Sequence, residues 1–232
     1  MPRYNEHGQP IGRDLGSWRP PTEPPRQALI GRSVTVRPVA SSRDAEAMFA
    51  AFADSAPSTW TYLPYGPFAS GAELARMLEY LDDRPDWQVH TIDVDGRPLG
   101  FICYLRIQPA DGVIEIGGVT FSSALQRTRA ATEAVYLLIA NAFALGYRRV
   151  EWKCDVLNEP SRRAAARFGF THEGIFRQAT QYRGRNRDTA WFSIIDGEWP
   201  SIDAAFRRWL SDDNFDEAGR QRTRLVVSPT GR

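Results

Sequence analysis

Residues 117–146 constrain the fold of this chain more than any other stretch. Their pattern predicts a buried strand, a tight turn with Arg127 and Arg129, and a long amphipathic helix that Gly146 ends. A helix that starts directly after a strand leaves unpaired backbone N–H groups at its N-terminus, and these attract anions. Arginine adds planar, paired donors that suit phosphate. The stretch therefore predicts a site for a cofactor that carries phosphate.

Composition limits the classes of protein that the chain can belong to. Its 232 residues are enough for one well-buried domain, and 42% hydrophobic and 25% charged residues are typical of a globular protein. A net charge of +1 gives no sign of a general nucleic-acid binder. No apolar run is long enough to cross a bilayer, and the first residues lack the apolar core of a signal peptide. We expect a cytoplasmic protein that binds neither nucleic acid nor membrane.

The two cysteines, Cys103 and Cys154, fall in predicted strands and have no Cys or His partner at metal-ligand spacing. We expect reduced, packed thiols and no metal site. Nearly all basic residues are arginine, and Lys153 is the only lysine. Such a bias reduces the weight that any single arginine carries as a functional signal.

Hydrophobic periodicity and turn signals predict the remaining elements. Helices are predicted at residues 44–52, 74–81, 160–168 and 202–209, and strands at residues 33–38, 88–94, 99–107, 113–121, 149–156, 170–176 and 189–195. Capping boxes at Ser41/Asp44 and Ser70/Glu73 are expected to open the first two helices. This order predicts an α/β (α+β) fold with one mixed, mostly antiparallel sheet and helices on both faces.

Three parts of the chain differ in composition. Residues 1–30 are rich in Pro, Gly and Arg, which favours an extended arm. Residues 31–210 carry the predicted elements and form the expected domain. Residues 211–232 are expected to be a polar C-terminal tail.

The order of elements and the basic turn resemble the GCN5-related N-acetyltransferase (GNAT) superfamily, in particular its RimJ/RimL-like branch, over residues 31–210. In that family the pyrophosphate of acetyl-CoA lies on a Q/R-x-x-G-x-G/A turn at the start of the central helix. The resemblance implies cofactor contacts from the matching residues, which are Gln126, Arg127, Thr128, Arg129, Ala130, Ala131 and Thr132. Arg129 departs from the family glycine, and it fits if its φ is negative and its side chain turns to a phosphate.

The resemblance also assigns the strand and short helix beside this turn. Val119, Thr120 and Phe121 would pair with pantetheine and supply an oxyanion donor. Asn158 would bind the pantetheine amides, with helix capping as the alternative. Ser161 would both contact the cofactor and act as the general acid for the leaving thiolate, with a hydroxyl that only bonds the helix backbone as the alternative.

Glu115 is implied as the general base, because some family members place a carboxylate at this point of the strand. The alternative is a structural carboxylate bonded to a neighbouring strand. The branch usually has a carboxylate where this chain has Thr180, and many members have a tyrosine where it has Ala165. Asp155 and Asp188 are weaker candidates, expected to be surface or turn carboxylates.

An aromatic loop with Trp60, Tyr62 and Tyr65 falls where the family lines its acceptor cleft. The alternative is a loop held by its own aromatic rings. A cluster of Arg183, Arg185 and Arg187 could favour an acidic acceptor, but the arginine bias favours a solvated turn.

The resemblance thus predicts an N-acetyltransferase that transfers acetyl from acetyl-CoA to a primary amine by direct attack. The acceptor would be a protein N-terminus or a small amine. The alternative is a CoA-binding module without catalysis, because Arg129, Ala165 and Thr180 depart from the family pattern. An edge strand near the C-terminal strand pair could support a homodimer.

Overall fold

The computed structural model describes residues 3–227, which contain ten strands and five α-helices. The strands are β1 (Arg3–Tyr4), β2 (Pro10–Ile11), β3 (Leu29–Ile30), β4 (Thr35–Pro38), β5 (Trp87–Val94), β6 (Arg97–Gln108), β7 (Val113–Phe121), β8 (Arg149–Asp155), β9 (Thr171–Tyr182) and β10 (Arg185–Ile195). The helices are α1 (Ser41–Phe52), α2 (Gly71–Asp82), α3 (Arg129–Ala144), α4 (Glu159–Arg167) and α5 (Trp199–Trp209).

One eight-stranded sheet holds the domain together, with the strand order β3-β4-β5-β6-β7-β8-β10-β9. Neighbouring strands are antiparallel except β7 and β8, which run parallel. The α3 crossover joins this parallel pair, as parallel neighbours require. The predicted mixed, mostly antiparallel sheet is confirmed.

Alternation along β6 separates two hydrophobic cores on opposite faces of the sheet. Ile102 and Tyr104 lie in the core that α3 and α5 cover. Phe101 and Cys103 point the other way, into a second core covered by α1 and α2. Helices therefore pack on both faces, as predicted. Cys103 and Cys154 are buried free thiols, as expected.

The first two helices start differently. Ser70 accepts from the backbone N–H of Glu73 at 3.2 Å, so the capping box of α2 is confirmed. The capping box predicted at Ser41 is wrong, because α1 starts one residue earlier, behind Ala40, without a side-chain cap. Asp44 is instead fully buried and accepts from both guanidinium nitrogens of Arg37, at 2.6 and 3.0 Å.

β9 and β10 are longer than the sequence predicted. The connection expected at residues 182–187 is a two-residue turn, in which Arg183 and Gly184 both have positive φ, 51° and 70°. Both central residues of a type I′ hairpin turn adopt this conformation. β9 is exposed along most of its length, so the strand lacks the apolar alternation that would have predicted it. It forms a sheet edge with Ile175 and Phe176 exposed, and the homodimer stays a prediction.

Both flanks pack against the central domain. In the N-terminal arm, the Trp18 indole donates to the carbonyl of Gly146 at 3.1 Å, and Gln88 donates to the carbonyl of Pro24 at 2.8 Å. Beyond α5, Leu225 is buried in the core of α3 and α5. The domain limits at residues 30 and 210 stay predictions, and residues 1, 2 and 228–232 lie outside the described part of the chain.

Within residues 3–227, no helix is both long and apolar enough to cross a membrane. The same part of the chain holds no group of three or more His, Cys, Asp or Glu side chains that could bind a metal ion.

The buried carboxylate of Asp44 should dominate the acid sensitivity of the α1 region. Burial alone would raise its pKa, but hydrogen bonds from Arg37, Arg43, the Ala40 N–H and Thr91 hold the pKa below its usual range. Asp44→Asn removes the charge from a buried ion pair and should lower the free energy of unfolding by about 3 kcal/mol at pH 7, measured by urea denaturation.

The stabilisation by the Asp44 carboxylate decreases as the pH falls. Because the folded pKa is depressed, the stabilisation is complete above the unfolded pKa of about 3.9 and is lost as the pH falls through the folded pKa. The difference between wild type and Asp44→Asn should therefore shrink below about pH 4. The control is Asp54→Asn, which changes an exposed carboxylate just after α1. Equal effects of the two substitutions would contradict the prediction.

Candidate active site

A wedge opens in the sheet where β7 and β8 separate. The two strands pair only at Val113–Arg149, Ile114–Val150 and Glu115–Glu151. β7 continues to Phe121 and β8 to Asp155 without further pairing between them. Backbone groups of β7 beyond Glu115 therefore face a gap rather than a neighbouring strand, and they need partners.

Two glycines bend β7 inside this wedge. The register between β6 and β7 shifts between the pairs Phe101–Thr120 and Cys103–Gly117, which leaves Gly118 and Val119 opposite Ile102 alone. Gly118 has a φ of +59°, and a Cβ there would lie 2.8 Å from the Cys103 sulfur. The bulge thus needs a residue without a side chain, for both backbone conformation and space.

The N-terminus of α3 lies just beyond the wedge end of β7. Thr128 caps the helix, because its hydroxyl oxygen accepts from the Ala131 N–H at 3.1 Å. Within residues 3–227, the N–H groups of Arg127, Arg129 and Ala130 have no hydrogen-bond acceptor. Three unpaired donors at the positive end of a 16-residue helix are suited to binding an anion.

The two arginines of the turn differ from expectation. Arg129 is the first residue of α3, and the residue with positive φ is Arg127, at 63°. Arg129 turns its side chain away from the anion site: it donates to the Leu210 carbonyl and, at 2.6 Å, to Asp212. Arg129 therefore offers the site its backbone N–H, whereas the exposed Arg127 side chain has no partner within residues 3–227.

Asn158 and Ser161 lie on the opposite side of the wedge, at the start of α4. Asn158 Oδ1 accepts from the Ser161 N–H at 3.2 Å, so the capping alternative is realised. Its amide nitrogen has no acceptor within residues 3–227 and remains available to a ligand. The Ser161 hydroxyl accepts from the Trp152 indole at 3.0 Å, which leaves its own proton free to be donated.

Glu115 lies at the narrow end of the wedge in a buried charge cluster. Lys153 Nζ is 2.7 Å from Glu115 Oε2 and 3.0 Å from Glu151 Oε2. Arg106 Nε lies 3.5 Å from the same Glu115 oxygen. Burial raises the pKa of Glu115, and Lys153 and Arg106 oppose that rise. The structural alternative for Glu115, a bond to a neighbouring strand, is realised through Lys153, and its general-base role stays a prediction.

The aromatic loop covers the same face of the sheet. Trp60 is 5% exposed and packs edge-on against Phe52 and Phe68, so it holds the loop in place. The Tyr65 hydroxyl reaches the bulge, 3.4 Å from the Gly118 carbonyl and 3.1 Å from the Thr120 hydroxyl. Tyr62 is half-buried. Of the three predicted acceptor residues, Tyr65 lies closest to the wedge.

The β9–β10 turn binds this loop. Arg183 donates to the Gly66 carbonyl, and Arg185 donates to the Thr61 carbonyl at 2.7 Å. Arg183 and Arg185 are exposed to solvent but bind protein backbone, and they join the aromatic loop to the far edge of the sheet. β8 lies between β7 and this hairpin. The contact between the hairpin and the aromatic loop therefore crosses the wedge, on the face of the sheet that the loop covers.

Asp155 and Asp188 occupy different environments. Asp155 is 4% exposed and accepts from the Tyr182 hydroxyl at 2.9 Å, so of the two expected roles, surface or turn carboxylate, it has the turn role. Its other oxygen accepts from the Leu157 N–H at 2.9 Å and stabilises the turn after β8. Asp188 accepts from the Gln178 N–H and the Asn186 amide inside the β9–β10 hairpin.

Sequence reasoning missed two parts of the site. The adjacent glycines Gly117 and Gly118, inside a predicted strand, were the available signal for the bulge. The contact of Lys153 with Glu115 and Glu151 had a weaker signal, a single lysine among arginines. Its partners lie 38 and 2 residues away, and strand pairing alone brings them together.

Comparison with known proteins agrees with this geometry. Residues 33–171 match the family model of the acetyltransferase (GNAT) domain. No curated protein matches the chain at a significant level.

Solved structures extend the similarity to most of the chain. A GCN5-related N-acetyltransferase from Brucella melitensis is 42% identical and has a TM-score of 0.87, over 91% of this chain and 97% of its own. RimJ of Mycobacterium smegmatis in complex with CoA-disulfide is 22% identical (TM-score 0.64; 78% of this chain and 90% of its own). An acetyltransferase from Salmonella typhimurium that modifies the N-terminal serine of ribosomal protein L7/L12 is 20% identical (TM-score 0.63; 73% and 99%).

The bulge allows a direct test of close packing. Gly118→Ala should lower the free energy of unfolding by roughly 1–3 kcal/mol more than Gly96→Ala, measured by denaturant unfolding. Both glycines have positive φ, 59° and 77°, but a Cβ at Gly96 meets no atom within 4 Å. The difference therefore isolates the contact with Cys103. Adding Cys103→Ala to Gly118→Ala should recover part of the loss; equal losses for the two glycines would contradict the prediction.

Proposed function

Because the chain belongs to the GNAT acetyltransferase family and is an acetyl-CoA-dependent acyltransferase, we propose that it acetylates a primary amine by direct attack on acetyl-CoA. The observation that carries the proposal is the wedge: β7 and β8 separate after Glu115–Glu151 and leave strand backbone without a partner. The wedge leads to an anion site at the start of α3. An extended ligand with amides at one end and phosphates at the other matches both features.

Residues of both strands and both helices would hold acetyl-CoA, which supplies an activated acyl thioester. The free N–H groups at Arg127, Arg129 and Ala130 suit the pyrophosphate. The unpaired edge of β7 at Val119, Thr120 and Phe121 suits the pantetheine amides. Asn158 contributes its free amide from the opposite side.

Glu115 is the group we assign to the proton of the acceptor ammonium. A Cβ built on Gly117 would lie 3.3 Å from Glu115 Oε1, so this oxygen faces the bulge. Lys153 binds the other oxygen, Oε2, and leaves Oε1 without a hydrogen bond from residues 3–227. An amine held beside the bulge could therefore pass its proton to Oε1.

Ser161 is the group we assign to the departing thiolate. Its hydroxyl is oriented by the Trp152 indole and can donate its own proton. Burial raises the pKa of the neighbouring Cys154 thiol, and a hydrogen bond with Ser161 opposes that rise. The serine thus takes the place of the tyrosine that Ala165 cannot supply.

The acceptor class that we favour is a chain end, such as a peptide N-terminus. The Arg183 and Arg185 contacts tie the aromatic loop across the acceptor face of the wedge, so a slender group reaches it more readily than a folded surface. The Salmonella protein of similar fold modifies an N-terminal serine, which is consistent with this class. Small amines are the second class that fits.

Purified protein should release CoA when acetyl-CoA is combined with an acceptor panel, and thiol release and product mass measure this. The panel should pair peptides that have a free N-terminus with the same peptides blocked at the N-terminus, and should include short alkyl amines. Release with free peptides and none with blocked ones would support the chain-end class.

A CoA-binding module without catalysis gives a different result. Acetyl-CoA would then raise the melting temperature, but no acceptor would release CoA. A protein that neither gains stability from acetyl-CoA nor releases CoA would contradict both functions.

Ser161→Ala should lower kcat on the order of 100-fold, because a general acid is lost, while the Kd for acetyl-CoA stays within about twofold. Stopped-flow or steady-state rates and calorimetric binding measure the two quantities. Ser201→Ala is the control, since Ser201 also follows a proline in the first turn of a helix and bonds only the Glu198 carbonyl. An unchanged kcat in Ser161→Ala would remove the serine from the mechanism.

A further inference from the structure

The only lysine of the chain lies where the wedge begins. Glu115 and Glu151 are direct partners in the last residue pair of β7 and β8. Their side chains are 7% and 6% exposed, and the side chain of Lys153 is 8% exposed. Two carboxylates opposite one another in a buried position repel unless a cation lies between them. Lys153 supplies that cation to both.

The surroundings of Lys153 fix its position. Its ammonium lies 3.7 Å from the ring centroid of Trp191, on the neighbouring strand β10. Arg106 lies over the same ring at 5.3 Å and approaches Glu115 from β6. Arg149 binds the second oxygen of Glu151 at 2.9 Å. The charged groups facing Glu115 are therefore Lys153 and Glu151 from β8 and Arg106 from β6.

The two carboxylate oxygens of Glu115 have different surroundings. Oε2 is bound by Lys153 and approached by Arg106, whereas Oε1 faces Gly117 at the bulge. A carboxylate fixed at one oxygen cannot rotate away from the bulge. A buried carboxylate next to a cation also remains charged at a lower pH than one without it.

We propose that Lys153 is a positioning residue for acetyl transfer: it anchors Oε2 of Glu115, favours the ionised form of this buried carboxylate and directs Oε1 to the acceptor amine. This inference rests on the proposed function and on Glu115 as the proton acceptor. Lys153 itself takes no part in the chemistry, because its ammonium is held by two carboxylates.

Each charged neighbour shifts the pKa of Glu115 in a known direction. The Lys153 cation lowers the pKa of Glu115, and the Glu151 charge raises it. Lys153→Met should therefore move the acidic limb of the kcat/KM profile to higher pH by about one unit or more. Glu151→Gln should move the limb to lower pH. Lys153→Arg keeps the cation and should leave the limb closest to wild type.

The experiment uses one acceptor throughout, so that ionisation of the acceptor affects every variant equally and differences belong to the protein. Opposite shifts in Lys153→Met and Glu151→Gln support the inference. If both variants lose activity but the acidic limb of the kcat/KM profile stays at the wild-type pH, the charge cluster is purely structural and the inference is overturned. Because Lys153→Met leaves two buried carboxylates without their cation and could fail to fold, Glu151→Gln and Lys153→Arg carry the test in that case.

A measurement without turnover separates this inference from the proposed function. The carboxyl carbon of Glu115, assigned by its loss in Glu115→Gln, can be titrated by NMR in wild type and in Glu151→Gln. A lower midpoint in Glu151→Gln with no turnover on any acceptor would uphold the charge cluster and contradict the acetyltransferase function. Equal midpoints with normal turnover would contradict the role of the cluster alone.

Discussion

The three residue pairs that join β7 and β8 are the constraint on which this structure depends. Every other pair of neighbouring strands in the large sheet is antiparallel, so the sheet changes to parallel pairing at this junction. If the pairing continued to Phe121, no backbone would remain for a ligand and α3 would start against a closed sheet.

Opposing effects hold the junction at this length. The bulge at Gly118 shifts the register of β7 against β6, and the Tyr65 hydroxyl contacts the Gly118 carbonyl. On the other side, Lys153 joins the last pair by binding one glutamate from each strand. The backbone bend favours separation, and the ion cluster stops the separation at Glu115. The wedge is therefore a fixed feature of the sheet rather than a frayed end.

Sequence patterns predicted most of this architecture, because most of its elements have strong local signals. The strand at Val113–Phe121 is observed with the predicted bounds, and the hairpin around Asp95 differs by one or two residues at its ends. β9 was under-predicted because both of its faces are exposed, so no burial pattern marked its length. The false capping box at Ser41 shows a related limit: Asp44 accepts from the side chain of Arg37 in β4 as well as from the Ala40 N–H at the start of its own helix.

The site was less predictable than the fold, since its chemistry depends on contacts between distant residues. A motif locates the turn at Gln126–Ala131, but it assigns no direction to a side chain. Arg129 has the expected helical conformation and yet binds Asp212, 83 residues away. The motif also assigns no ion partner to Glu115, which differs from a solvated carboxylate only through strands that fold beside it.

The chain departs from the family turn at Arg129. This departure is compatible with an open turn when the backbone and the side chain of Arg129 are considered separately. A glycine in such a turn provides space for phosphate and freedom of φ. Here the positive φ lies at Arg127, and the Arg129 side chain leaves the anion site by packing on Phe215 at 4.5 Å. The backbone donors at Arg127, Arg129 and Ala130 stay open. An arginine in place of glycine thus leaves these backbone donors open, because the segment after α5 provides its side chain with a carboxylate, a carbonyl and an aromatic ring.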